Sequence, residues 1–380
     1  MIECPPSYYG QVLTIIVTND CNLRCKYCYE YNKCNRGTIS LETVDRFITM
    51  LIDGKFDVGM ESFEIDLLGG DALMYPELCG RIIDATMKRM VLSGFKYRDN
   101  IKFSICSNGT LFRNPKVREF LIKYKPFLSM GVSIDGCPTL HDMNRVFPSG
   151  KGSMDSILKW WPWYQAEFPE DSKYTKATLS KASIPYIYES LVYMHEVLGL
   201  RYIHQNFIME NANLTAKDIA DFDHQMVLCT EYMYQHKDDL YWSMLGKQYL
   251  ARKNGTPIPN VGRCGSGLMP TVDVDGQIYA CPRWCPFAIG DKAISLGDVY
   301  SATFDKSKAN FIAENCKRNI ITKDPKCKTC DFEEQCAYCP AGCYGEFGEF
   351  KRTTYICPIT RIQSKWAERY WRMIDEKDQG

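Results

Sequence analysis

The sequence predicts an α/β protein: an open parallel barrel of six strand–helix units, followed by a small cysteine-rich region. Three observations carry that prediction. Short apolar runs alternate with amphipathic stretches as far as about residue 210. Their connections are short, as parallel strands joined by crossover helices require. Beyond residue 255 the alternation gives way to clustered cysteines and tight turns.

The expected strands are Val12–Thr18, Phe63–Leu68, Ile101–Cys106, Leu128–Ile134, Tyr174–Leu179 and Arg201–Phe207. Helical patterning covers Leu41–Ile52, Pro76–Ser93, Pro115–Tyr124, Ser153–Gln165, Pro185–Leu198 and Ala216–His236. Six units are too few to close the eightfold barrel, so a partial (β/α)6 barrel is expected. Ligands of such barrels gather at the C-terminal strand ends, where every core motif below falls. The stretch Asn254-Gly255-Thr256-Pro257-Ile258-Pro259 is rich in turn formers. It divides the chain into a core at 1–212, a helical linker at 213–254 and a cysteine-rich unit at 255–380 with a closing helix.

Composition narrows the partners. The 380 residues carry 46 basic and 46 acidic side chains, which argues against an electrostatic grip on nucleic acid or anionic lipid. No signal peptide opens the chain and no apolar run approaches a membrane span, so a cytoplasmic protein is expected. In that compartment 19 cysteines read as metal ligands rather than disulfides. Cys4, Cys79, Cys106, Cys137 and Cys229 are scattered and fit core thiols.

Cys21, Cys25 and Cys28 follow the first strand with gaps of three and two residues. A four-iron cluster normally takes four thiolates, so three leave one iron open for chemistry. Zinc is the competing metal for such pairs. The surrounding Asn22-Leu23-Arg24-Cys25-x-Tyr27-Cys28 resembles the radical S-adenosylmethionine (SAM) enzymes. The resemblance implies a [4Fe-4S] cluster chelated by SAM and a 5′-deoxyadenosyl radical. It also implies SAM contacts from Gly69, Gly70 and Asp71 after the second strand, with aspartate where the family has glutamate. Further contacts are implied for Ser107 and Asn108 in Cys106-Ser107-Asn108-Gly109-Thr110 after the third strand, Ser133 and Asp135 after the fourth, and Arg145 before Gly150-Lys151-Gly152-Ser153. A plain turn for Gly-Gly-Asp and a surface ion pair for Arg145 are the structural alternatives.

The later cysteines run Cys264, Gly276, Cys281, then Cys327-x2-Cys330-x5-Cys336, Cys339, Cys343 and Cys357. Asp275-Gly276 between alternating residues signals a hairpin that draws Cys264 and Cys281 together. The series resembles the SPASM extension, which implies two auxiliary [4Fe-4S] clusters. By that pattern Cys327, Cys330, Cys336 and Cys357 hold the outer one. Cys264, Cys281 and a cysteine of the 339/343 pair hold the inner one. Its fourth position stays open between Cys285, Cys339 and no ligand, because Pro340 stands where the family places a cysteine. A zinc ribbon is the alternative for the Cys327–Cys330 pair.

Cys336-Ala337-Tyr338-Cys339 with the later Thr354-Tyr355-Ile356-Cys357 resembles maturases of cysteine-rich peptides, which implies an enzyme that acts on a ribosomal precursor by sulfur-to-carbon thioether crosslinks. An auxiliary cluster would hold the donor thiolate or accept the leftover electron. A carbon–carbon crosslinking or epimerising maturase, an anaerobic sulfatase maturase and a non-catalytic iron–sulfur electron carrier are the alternatives. The sulfatase reading is weakened by Pro282, where that family has an aspartate after the cysteine matching Cys281. A flavodoxin or ferredoxin is the expected electron donor. With Cys21 so near the start, a separate leader-binding protein or the barrel mouth is expected to hold the precursor, with Asn206 and Glu210 as candidate contacts.

Overall fold

The computed structural model describes residues 11–30, 37–56, 63–96, 98–208, 213–246, 264–316, 327, 330, 332, 336, 339–351 and 356–378. Cys4, Glu210 and the turn-rich stretch at 254–259 lie outside the described residues.

The barrel is built as the alternation predicts. Strand β1 (Gln11–Thr18) leads to α1 (Leu41–Ile52), β2 (Phe63–Gly69), α2 (Pro76–Leu92), β3 (Ile101–Ser107), α3 (Pro115–Tyr124) and β4 (Leu128–Val132). After α4 (Pro138–Asn144), α5 (Met154–Leu158) and α6 (Trp161–Glu167) come β5 (Tyr174–Leu179), α7 (Ile187–Val192), β6 (Tyr202–Phe207), α8 (Ala216–Gln235) and β7 (Tyr241–Trp242). Helix starts carry the expected caps: Ser40 accepts from Thr43 N, and Thr215 and Asp218 form a capping box at α8. Along β3 the residues alternate. Phe103 and Ile105 are buried against helices, while Ser104 and Cys106 line the open inner face.

The remaining elements are β8 (Thr271–Val272), β9 (Gln277–Tyr279), α9 (Pro286–Ile289), β10 (Gly297–Asp298), β11 (Thr303–Phe304), α10 (Lys306–Asn315), α11 (Pro340–Phe347) and α12 (Cys357–Asp378). Their strands continue the sheet of the barrel. The sheet runs β11-β10-β9-β8-β1-β2-β3-β4-β5-β6-β7, and β8 pairs in parallel with β1, Thr14 opposite Thr271. Strand β1 is therefore interior, which explains its almost unbroken burial from Leu13 to Thr18. Helix α8 packs against the C-terminal helix α12. Its Asp223 accepts from Lys365 Nζ and Trp366 Nε1 of α12. Among the described residues no helix is long and apolar enough to cross a membrane.

Three elements depart from expectation. The helix expected over Ser153–Gln165 is two short ones, because Pro162 opens α6 and cannot continue the hydrogen bonding of α5. The expected Pro185–Leu198 helix begins as a 3₁₀ turn through Pro185 and ends as a π turn at Tyr193–Val197. Strand β4 stops at Val132, where Ile134 N–H turns to the Thr175 hydroxyl.

Candidate active site at the cysteine loop

The loop bearing Cys21, Cys25 and Cys28 leaves β1 and lies across the ends of β2 and β3. Its seat is backbone on backbone. Gly70 N donates to Thr18 O at 3.0 Å and Asp71 N to Asp20 O at 2.9 Å. A Cβ on Gly69, whose φ is +139°, would overlap the Thr18 carbonyl, and one on Gly70 would overlap that of Asp20. The glycines expected to admit a ligand thus admit the loop itself. On the far side, Arg24 N donates to Val146 O at 2.7 Å and Lys26 N to Asn144 O at 3.0 Å.

Side chains complete the clamp. Asp71 is buried and accepts from Leu73 N, Ser107 Oγ and Asn108 N at about 3 Å, tying β2 to β3. Asn108 Nδ2 donates to Asn22 Oδ1 at 2.8 Å and approaches Cys21 Sγ at 3.9 Å. Asn22 Nδ2 donates to Thr110 Oγ1 at 2.7 Å. Ser133 Oγ sits 3.4 Å from Cys106 Sγ on the inner face. Ser107, Asn108, Asp71 and the two glycines therefore converge on the first cysteine. Ser133 stands apart from that group.

Asp135 and Arg145 meet elsewhere on the loop. Arg145 Nε donates to Asp135 Oδ2 at 3.0 Å, with the Asp135 side chain fully buried and that of Arg145 11% exposed. This is a buried pair, not the surface pair considered from sequence. Tyr27, between Cys25 and Cys28, donates its hydroxyl to the same Asp135 oxygen. Burial and the Asp135 charge hold the Tyr27 hydroxyl well above its usual range, so it stays a donor. His141 stands behind them. Its Nδ1 accepts from Asp135 N, and its Nε2 meets Ser153 Oγ, which donates to Arg145 O. Burial pushes this histidine down to about 4, so it is a neutral spacer at neutral pH. Sequence reading missed His141, which belongs to no motif, and gave no role to Ser153 at the end of Gly150-Lys151-Gly152-Ser153. Asn22 and Thr110 stood inside quoted motifs but without assigned roles.

The tail cysteines gather in two places. Cys357 has Cys336 and Cys330 as neighbours, and Cys330 N donates to Cys327 O at 3.1 Å. Cys281 neighbours Cys339 and Cys264, and Ser266 Oγ lies 3.9 Å from its sulfur. The hairpin forms as expected, with Gly276 at φ +89° and its N–H on Asp273 O. Cys343 is buried one turn into α11, its N–H on Cys339 O. Cys285 is fully buried, with Asp273, Cys281 and Glu30 around it.

Between these groups lies a cavity of about 720 Å³. Tyr27, Cys28 and Tyr29 of the loop form one wall, Ser180 to Ala182 and Ile208 at the strand ends a second, and Arg283, Ile289 and Gly345 of the tail a third. The Arg283 guanidinium stacks over the Tyr29 ring at 4.2 Å. Asp66 faces inward on β2 beside Ser104, and burial raises its carboxyl to about 6.

Residues 15–159 match the Radical SAM superfamily. The protein carries a radical SAM domain. Members use SAM with a [4Fe-4S] cluster, and the donor set here fits that group. Three cysteines share one clamped loop, and among the described residues the buried Asn19 Oδ1 beside them has no hydrogen-bond partner. A cysteine-type anaerobic sulfatase-maturating enzyme of Clostridium novyi is 22% identical over 335 residues, 84% of each chain. Native anSMEcpe with bound AdoMet and Kp18Cys peptide superposes with TM-score 0.74 at 17% identity, covering 96% of this chain and 99% of that one. Streptococcus suis SuiB bound to precursor peptide SuiA gives 0.61 at 17% identity, covering 92% and 76%. These structural likenesses extend the shared fold from the radical SAM domain through the cysteine-rich tail.

Proposed function

We propose that this radical SAM enzyme modifies a ribosomal precursor peptide by joining a cysteine sulfur to a carbon of a neighbouring residue. The observation that carries the reading is the cavity walled by the cysteine loop, the barrel strand ends and the tail at once. Its volume lies within the range of ligand pockets and admits a few peptide side chains. The relatives crystallised with Kp18Cys peptide and with precursor peptide SuiA support a peptide as occupant.

When bound, SAM and the reduced cluster supply a 5′-deoxyadenosyl radical that removes a hydrogen atom from carbon. The chain's own residues bind and aim. Cys21, Cys25 and Cys28 would hold the iron. Gly69, Gly70, Asp71, Ser107 and Asn108 fix the cysteine loop beside which they would contact SAM, and the Asp135–Arg145 pair fixes its Tyr27 end. Ser133 would reach SAM from the inner face. Cys327, Cys330, Cys336 and Cys357 would hold an outer auxiliary cluster, and Cys264, Cys281 and Cys339 part of an inner one. Asn206, exposed at the end of β6, is available to the peptide. A flavodoxin or ferredoxin would deliver electrons, and a separate protein would present the leader.

The Clostridium relative keeps sulfatase maturation in view. Against it, Pro282 follows Cys281 at the start of a 3₁₀ turn and can accept no proton. Reconstituted enzyme, SAM, reductant and a cysteine-rich precursor should yield a product two hydrogens lighter per crosslink, with one cysteine per event refusing alkylation after strong reduction. If every cysteine still alkylates, the thioether reading fails in favour of a carbon–carbon crosslink. A cysteine that has lost its sulfur is the formylglycine outcome.

A further inference from the structure

The inner cysteine group has a member that spacing does not reveal. Helix α10 ends at Cys316, whose N–H caps the helix on Ile312 O and Ala313 O at 2.9 and 3.2 Å, and whose side chain is buried. The segment carrying Cys264 is wedged against the same helix. Gly267, at φ +89°, approaches so closely that a Cβ would crowd Ala309 O and the Ala313 backbone nitrogen. Its N–H meanwhile donates to Ala280 O at 3.0 Å, next to Cys281. The packing therefore brings three chain segments to one point. There the Cys264 and Cys316 thiols share a hydrogen bond, and Cys316 also reaches the Ser266 hydroxyl beside Cys281. Cys339 adjoins Cys281 from the start of α11.

We propose that Cys316 is the fourth ligand of the inner auxiliary cluster, with Cys264, Cys281 and Cys339. This rests on the auxiliary-cluster reading above and is independent of the crosslinking chemistry. Cys285, the spare cysteine nearest in sequence to Cys281, is the wrong candidate. It is fully buried with Asp273, Cys281 and Glu30 as its charged neighbours, and neither Cys264 nor Cys316 is among them. Soft thiolates from four directions satisfy a cubane fully and leave no iron exposed. The inner cluster then carries electrons and does not grip the donor sulfur of the peptide. That sulfur must be positioned by the cavity walls instead.

The test uses the full chain with Cys21, Cys25 and Cys28 replaced by alanine, reconstituted anaerobically so that only tail iron is read. The parent should hold about eight iron atoms per chain. Its reduced electron paramagnetic resonance spectrum should not respond to cyanide or added thiol. Adding Cys316→Ala should either remove about four iron atoms or make the inner-cluster signal respond to cyanide, and Cys285→Ala should do neither. A cyanide-responsive parent overturns the proposal without recourse to any Cys316 variant. So does a Cys316→Ala chain with unchanged iron and an unresponsive spectrum, or a Cys264–Cys316 disulfide in the anaerobic holoenzyme. A parent with no tail iron removes the auxiliary clusters altogether. A normal iron count with no crosslinked product removes only the crosslinking reading.

Discussion

The protein gathers cysteines in two ways. At the barrel, three cysteines lie within eight residues of one loop, and the fold's work is to hold that loop still. Four backbone hydrogen bonds, two glycines and a buried Tyr27–Asp135–Arg145 cluster do so from both sides. In the tail, the inner group draws one cysteine each from a loop, the end of β9, the end of α10 and the start of α11. Cysteine spacing there is a product of packing. The contrast implies that the barrel loop is shaped by the protein before any iron arrives, whereas metal and fold are coupled in the tail.

The most severe way to separate the two regions is to replace Cys21, Cys25 and Cys28 with alanine. Formation of 5′-deoxyadenosine should disappear and iron should fall by about four atoms per chain, while tail iron stays. Equal loss of iron from the tail would break the comparison, because the regions would then load as one unit.

Next in size is Asp135→Asn, which leaves Arg145 buried without a counter-charge. Breaking such a pair typically costs about 3–5 kcal/mol. Denaturant unfolding should register that loss even in iron-free protein. An effect seen only in holoprotein would mean that iron, not the buried pair, shapes the loop.

His141 sharpens the same point through pH. Its folded value is about 4 against about 6.5 unfolded, so below pH 6.5 the unfolded chain takes up a proton that the folded chain refuses. Stability should therefore fall as pH drops from about 6.5 towards 4, by up to roughly 3 kcal/mol. His141→Gln should flatten that part of the profile, whatever it does to stability at neutral pH. An unchanged slope would show that His141 is not the group responsible.

The smallest expected effect compares two glycines. Gly70→Ala pushes a methyl into the Asp20 carbonyl and should cost about 1–3 kcal/mol, with weakened SAM cleavage. Gly94→Ala, at φ +63° in open space, should cost only about 1 kcal/mol and leave cleavage intact. Equal losses of cleavage would remove the special role given to the loop's seat.

Much of this was legible in the sequence. The order of the six strand–helix units followed from periodicity, because burial of one strand or helix face repeats locally. The three-cysteine loop was legible for the same reason: its cysteines lie close together along the chain, so spacing alone carries the geometry. Tertiary structure decided the rest. Gly69 and Gly70 were visible as permissive residues, but only the fold showed that the neighbour they admit is the cysteine loop. Asp135 and Arg145 were visible as polar residues after a strand, but their burial depends on Tyr27 and His141 arriving from other elements. The pairing of β8 with β1 joins segments more than 250 residues apart. Cys316 had no spacing to announce it, because a ligand set drawn from four elements is fixed by how α10, the Cys264 loop and the hairpin pack, and no local pattern encodes that contact.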